Sequence, residues 1–194
     1  MEERVHENDD EKQWISRVLK GDKEEYAFLV NRYKNKIYGL LRGMGADDQD
    51  AQDLTQETFI RAYRKLAVHE TSKSFAAWLY TIASNLFKDL RRKSHPMGWM
   101  EESPPVPSAD DNPEAILLQG EHRTELQVLM RQLPPNYRVA LLLRYTNDLS
   151  YEEMSEVLDV PLNKIQNDLY RAKLRLKKML TAEEVRTDAM LNHR

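Results

Sequence analysis

The chain has 194 residues, 31% of them charged, a formal net charge of −3 and no cysteine. Disulfides and thiolate metal sites are therefore excluded, and the composition suits a reducing cytosol. No apolar run approaches the roughly 20 residues that cross a bilayer, and the acidic start MEERVHENDDEK is not a signal peptide.

Glycine is scarce, at 6 residues, and apolar positions recur at three- and four-residue intervals, so the fold class is all-α. Residues 1–13 read as an acidic tail. Trp14, Ile15, Val18 and Leu19 then predict a short amphipathic helix stopped at Gly21. Asp22 with Glu25 has the spacing to cap a longer helix carrying Tyr26, Leu29, Val30, Tyr33, Ile37 and Leu41 inside. Gly43 and Gly45 mark a turn. Asp47 or Asp48 starts a third helix with Ala51, Leu54, Phe59, Ala62, Tyr63 and Leu66 inward. A polar loop of His69, Glu70, Thr71, Ser72, Lys73 and Ser74 leads to a fourth helix, with Phe75, Trp78, Leu79, Ile82, Ala83, Leu86 and Leu90 on its apolar side and Arg91, Arg92 and Lys93 at its end.

Residues 96–113 carry five of the eight prolines (96, 104, 105, 107 and 113) and no basic residue. That composition predicts a flexible, acidic linker. It separates two small helical domains, 14–95 and 114–180, with a tail at 181–194. In the second, Leu126, Leu129, Met130 and Leu133 define a helix stopped at Pro134, and Tyr137 to Tyr145 another, with Val139, Leu142 and Leu143 toward the core.

Residues 150–178 predict a short helix, a tight turn and a long basic helix. Ser150 with Glu153 is a capping box, Met154, Val157 and Leu158 supply an apolar stripe, and Asp159-Val160-Pro161 ends the helix. Asn163 can cap the next, in which Ile165, Leu169, Ala172, Leu176 and Leu180 face inward. Lys164, Gln166, Asn167, Tyr170, Arg171 and Lys173 lie outward. This is the layout of a helix-turn-helix DNA reader, whose second helix a major groove can receive. An ordinary helical hairpin with a solvated basic face has the same pattern.

Charge is sorted along the chain. Acid gathers in the N-terminal tail, in 47–57 and in 101–114, and base in 88–93 and 164–178. Basic faces suit phosphate, and acidic faces suit a basic partner. The end of the fourth helix, with Asn85, Lys88, Arg91 and Arg92 following Trp78 and Tyr80, interleaves bases and aromatics in a manner suited to single-stranded nucleic acid. The loop before it could enclose an extruded base. The acids Asp47, Asp48, Asp50, Asp53 and Glu57 crowd a helix N-terminus, which favours negative charge. No histidine stands near them, the five histidines being scattered at 6, 69, 95, 122 and 193. A docking face fits this cluster better than a catalytic or metal site. No phosphate-cradling glycine loop and no nucleophile triad is present, so neither a catalytic residue, a metal nor a cofactor is expected.

The segments DAQDLTQETFIRAYRKL (50–66), FAAWLYTIASNLFKDLRRK (75–93), LPPNYRVALLLRYTNDLSYEEMSEVLDVP (133–161) and YRAKLRL (170–176), in this order, resemble an extracytoplasmic-function (group IV) sigma factor of bacterial RNA polymerase, in the sigma-70 family. The resemblance spans about residues 14–180. It implies a region-2 domain of four helices, a linker and a region-4 helix-turn-helix domain. It implies a cytoplasmic protein, nucleoid-associated when active and without membrane insertion of its own, that binds core polymerase through the β′ clamp and the β flap. Such a protein directs initiation at a specific, stress-responsive regulon and is no enzyme. An anti-sigma factor, membrane-bound in some cases, is a further partner that the family implies.

Residue by residue, Asp53, Gln56, Glu57 and Ile60 match the face that grips the clamp. His69, Glu70, Thr71, Ser72, Lys73 and Ser74 match the loop that captures a flipped base of the −10 single strand. Asn85 matches a position reading that element, and Lys88, Arg91 and Arg92 match its phosphate-contacting edge. Asn163, Lys164, Gln166, Asn167, Tyr170, Arg171 and Lys173 match the surface facing the −35 duplex. The chain departs from the family at Asn163-Lys164, Gln166 and Asp168, where a Gly-Thr pair and two bases are usual, and at His69, where aromatics are. An acid at 168 lowers phosphate attraction, whereas Gln and Asn can pair with adenine edges. The rival readings are a stand-alone helix-turn-helix regulator binding operators as a dimer, a protein-binding helical adaptor, and, more remotely, a metal-dependent hydrolase.

Overall fold

The computed structural model describes residues 2–69, 74–94, 126 and 128–191, with side chains from Asp10 to Thr181 except Ser94. The linker 96–113, loop residues 70–73 and the end of the chain from 192 lie outside them. All regular elements among the described residues are helical, and the chain forms two compact units.

The first unit opens with α1 (Glu2–Leu19). The sequence pattern placed a helix only from Trp14, with an irregular tail before it. The helix runs back to Glu2 because acids are favoured at a helix N-terminus, and because Glu11 continues the inward row of Ile15 and Val18. Gly21, at φ 107°, takes the left-handed turn after this helix. A 3-10 turn (Lys23–Glu25) follows, and Asp22 makes no side-chain cap, contrary to the expected capping box. In α2 (Tyr26–Met44) the buried row is Leu29, Tyr33, Ile37, Leu40 and Leu41. Trp14 of α1 stacks on Phe28 of α2 at 5.4 Å, and the Arg32 guanidinium lies 5.7 Å from the indole centre.

Asp47 resolves the open choice of cap for α3 (Asp48–Lys65), its carboxylate accepting from the Asp50 amide at 2.7 Å. Ala51, Phe59 and Ala62 are buried, whereas Tyr63 remains 38% exposed at the edge of the Tyr26 ring, 4.9 Å away. The Tyr26 hydroxyl donates to the Phe59 carbonyl at 2.8 Å, joining α2 to α3. After a second 3-10 turn (Leu66–Val68), Ser74 caps α4 (Phe75–Ser94), its hydroxyl accepting from the Ala77 amide at 3.2 Å. Phe75, Leu79, Tyr80, Ala83, Leu86 and Phe87 are buried.

In the second unit, residues 128–131 are helical and Leu126, expected in the core, is 44% exposed. Buried Arg138 donates to the carbonyls of Met130, Arg131 and Leu133 at 2.7–3.1 Å, which satisfies the end of that turn. The expected single helix 137–145 is instead α5 (Pro135–Leu141) followed by a π-helix (Leu142–Thr146). The Asn147 amide reaches back five residues to the Leu142 carbonyl at 3.1 Å, leaving Leu143 fully buried and Tyr145 55% exposed.

The capping box at the start of α6 (Tyr151–Leu158) is complete. The Glu153 amide donates to the Ser150 hydroxyl at 3.1 Å, and the Ser150 amide to the Glu153 carboxylate at 2.7 Å. Asp159 turns the chain at φ 58°, and α7 runs from Leu162 to Leu191. Asn163 is not its cap. The Pro161 carbonyl accepts from Lys164 and Ile165 at 2.9 and 3.3 Å, so the helix begins one residue before Asn163. Ile165, Leu169 and Ala172 are buried as expected, but Leu180 is 41% exposed.

Candidate partner and nucleic-acid interfaces

The acidic stretch becomes the exposed side of α3. Asp53 and Glu57 stand one turn apart, as do Gln56 and Ile60. Asp53 accepts from the Gln49 amide at 3.1 Å, and Glu57 pairs with Arg61 at 2.7 Å. The Asp50 carboxyl is raised from its ordinary value, chiefly through burial and then through the charges of Asp47 and Asp53. Gln56 and Ile60, the latter 45% exposed, line a groove of about 550 Å³ between α2 and α3. Lys34, Asn35 and Tyr38 of α2 form its other wall, and the Tyr38 hydroxyl donates to the Asp48 carboxylate. These three escaped the sequence reading, although their spacing sets them on the polar side of an amphipathic helix. The result is an open groove with an apolar floor, Val30 and Phe59, and polar walls that include Lys34, Asn35, Gln52 and Gln56.

The second candidate surface belongs to α4 and the turn before it. His69 is not a free loop residue. It is 9% exposed, stacked on Trp78 at 4.7 Å and edge-on to Phe75 at 5.6 Å. Ser74 serves the helix cap, and Glu70, Thr71, Ser72 and Lys73 lie outside the described residues. Asn85 and Arg92 are exposed, and Lys88 and Arg91 are half-buried. Spacings of three, four and seven residues put Asn85, Lys88 and Arg92 on one side of α4, and Arg92 pairs with Asp89 of the same helix. The interleaving of bases with aromatics needs correction. Tyr80 is fully buried and Phe87 is 4% exposed, because helical spacing turns both inward, so only half-buried Trp78 remains within reach of a base.

The third surface is α7. Gln166, Asn167, Tyr170 and Arg171 are exposed, Tyr170 at 69%. Asp168, the unusual acid, accepts an ion pair from Lys164 at 3.4 Å, so its charge is partly answered within the helix. Lys173 leans on the exposed Tyr145 ring at 5.2 Å, and a hydrogen bond to that hydroxyl raises its pKa. Tyr145 was not among the expected site residues, since its part depends on the π-helix that turns it outward. Among the described residues there is no group of three or more metal-binding side chains, and no helix is long and apolar enough to cross a membrane.

The family pattern described as Sigma-70 region 2 matches residues 29–95, and that described as Sigma-70, region 4 matches residues 123–176. The chain is 31% identical over 179 residues to the ECF RNA polymerase sigma factor SigW of Bacillus subtilis (strain 168), covering 87% of this chain and 96% of that one. The chain belongs to the extracytoplasmic-function sigma factors of the sigma-70 family.

This sigma factor is also 33% identical over 180 residues to the RNA polymerase sigma-H factor of Pseudomonas aeruginosa, at 88% and 93% coverage. Among solved structures, CnrH in complex with the cytosolic domain of CnrY matches at a TM-score of 0.61 and 20% identity, covering 89% of this chain and 98% of that one. RpoE of Bartonella quintana, solved with the anti-sigma factor NepR, matches at a TM-score of 0.60 and 21% identity, with coverage of 82% and 97%. Both share the fold. The matched region-2 stretch contains the α3 side and the whole basic side of α4, and the region-4 stretch contains the capping box and the exposed row of α7 up to Leu176.

Proposed function

We propose that this sigma factor binds core RNA polymerase and directs initiation at a defined set of promoters. Residues 14–95 form the polymerase- and −10-binding domain and 114–180 the −35-binding domain, joined by the acidic linker 96–113. Asp53, Gln56, Glu57 and Ile60 dock on the β′ clamp, with the groove between α2 and α3 taking an apolar side chain from it. His69, residues 70–73 and Ser74 frame the flipped −10 base, Asn85 reads the strand, and Lys88, Arg91 and Arg92 hold its phosphates. Asn163, Lys164, Gln166, Asn167, Tyr170, Arg171 and Lys173 face the −35 duplex, where Gln166 and Asn167 suit adenine edges. The protein works in the cytoplasm on the nucleoid and has no catalytic role of its own. An anti-sigma factor that masks both domains is a further partner.

One observation carries the reading: the exposed acidic side of α3, the basic side of α4 and the polar row of α7 fall, in one chain, within the two matched sigma regions. The test is reconstitution with core polymerase and mapping of transcript 5′ ends on genomic DNA. Discrete starts preceded by shared −35 and −10 elements are expected. Tight duplex binding without polymerase, and no transcript with it, would favour a stand-alone regulator.

A further inference from the structure

Glu11 is a buried carboxylate that promoter recognition, as described so far, does not use. It occupies the inward row of α1, one turn before Ile15 and two before Val18, and is 6% exposed. Burying a charge is costly unless it is paired and hydrogen-bonded. One partner is the buried Tyr33 of α2, whose hydroxyl donates to the carboxylate. Burial, and then the Glu11 charge, hold the hydroxyls of Tyr33 and Tyr80 far above the ordinary tyrosine range, so both remain protonated.

From Tyr33 a chain of rings leads to the −10 side. Tyr33 lies 5.8 Å from Phe75 and 6.4 Å from Tyr80. Phe75 meets His69 and Trp78, each at 5.6 Å, and His69 stacks on Trp78. A second route runs through the backbone, since α1 also touches the 3-10 turn Leu66–Val68 that ends at His69.

We propose that Glu11 is a positioning residue for −10 strand capture, fixing through Tyr33 the Phe75 ring against which His69 and Trp78 are set. This rests on the reading of His69 and Ser74 as the frame of the flipped base. A hydrogen-bonded buried charge admits one register where an apolar contact tolerates sliding, and a pocket for an unstacked base needs walls set in advance.

The test compares Glu11→Leu and Glu11→Gln in the full chain with core polymerase, on a forked promoter fragment carrying 2-aminopurine in the −10 non-template strand. Glu11→Leu is expected to keep its helix content, core affinity and −35 duplex affinity. It should lose about tenfold in fork binding, the size of one buried hydrogen bond, with a matching loss of 2-aminopurine signal. Glu11→Gln, whose amide oxygen still accepts from Tyr33, recovers most of both. Wild-type fork binding by Glu11→Leu overturns the proposal. So does a parallel loss of core affinity, or unfolding of both variants, because Glu11 then serves the fold alone. A wild-type holoenzyme that never binds the fork overturns instead the reading of the chain as a promoter-opening factor, and that result needs no variant.

Discussion

Asp53 and Glu57 are exposed enough that their intrahelical partners, Gln49 and Arg61, hold them with little net energy, about 0–1 kcal/mol for such surface pairs. Their charge is therefore available to a basic partner. The double variant Asp53→Lys, Glu57→Lys should abolish binding to core polymerase and leave the circular dichroism spectrum and melting temperature as they were. Unchanged core affinity, measured by fluorescence anisotropy, would remove the α3 side from the docking surface. Asp168 is the counterpart on α7. Lys164 is engaged by it at 3.4 Å, so Asp168→Asn both removes an acid and releases a cation toward phosphate. Each added phosphate contact steepens log K against log salt by about 0.9. The variant should bind −35 duplex more tightly at low salt, with the slope steeper by roughly one. A slope equal to that of the wild type would mean that Lys164 stays away from the backbone.

Among the elements, α6 was legible to the residue because its signal is local. A serine and a glutamate three positions apart specify both hydrogen bonds of the box, and both are made. Ser150→Ala should cost about 1 kcal/mol. In a domain of this size that lowers the melting temperature by roughly 4–8 °C, and an unshifted melt would show the cap to be redundant. Elements whose cause is distant in sequence were legible only in part. The acids of α1 look like a solvated tail until Tyr33, 22 residues on, supplies the hydroxyl that Glu11 meets. His69 looks like a loop residue until Trp78 is beneath it. The π-helix leaves no mark in composition, because one extra residue in a turn changes which side chains are buried but not which are present. The three candidate surfaces were legible as rows of charge at helical spacing, and the wall of the groove from α2 was missed because Lys34, Asn35 and Tyr38 become a wall only when α3 packs alongside them.

For the molecule as a whole, the first unit is the one whose core is tied together by phenols. Tyr33 and Tyr80 are buried at 6% and 0% exposure and link α1, α2 and α4. Burial is the first cause that raises both, and the charge of Glu11 adds to it. A folded-state pKa above the unfolded value means that the neutral hydroxyl is the form that folding favours. Its contribution is complete below the unfolded tyrosine pKa of about 10 and is lost as pH rises beyond it, because the unfolded chain releases the proton first. Each of the two groups should then remove about 1.4 kcal/mol of stability per pH unit above pH 10. With Trp99→Phe, emission reports Trp14 and Trp78, both of the first unit. The urea midpoint read from them should be flat between pH 8 and about 9.5 and fall steeply by pH 11, and Tyr80→Phe should remove roughly a third of that slope, since burial raises Tyr26 of the same unit as well. A midpoint that does not move between pH 9.5 and 11, or a slope that Tyr80→Phe leaves intact, would show that these phenols are not what couples the first unit to alkaline pH.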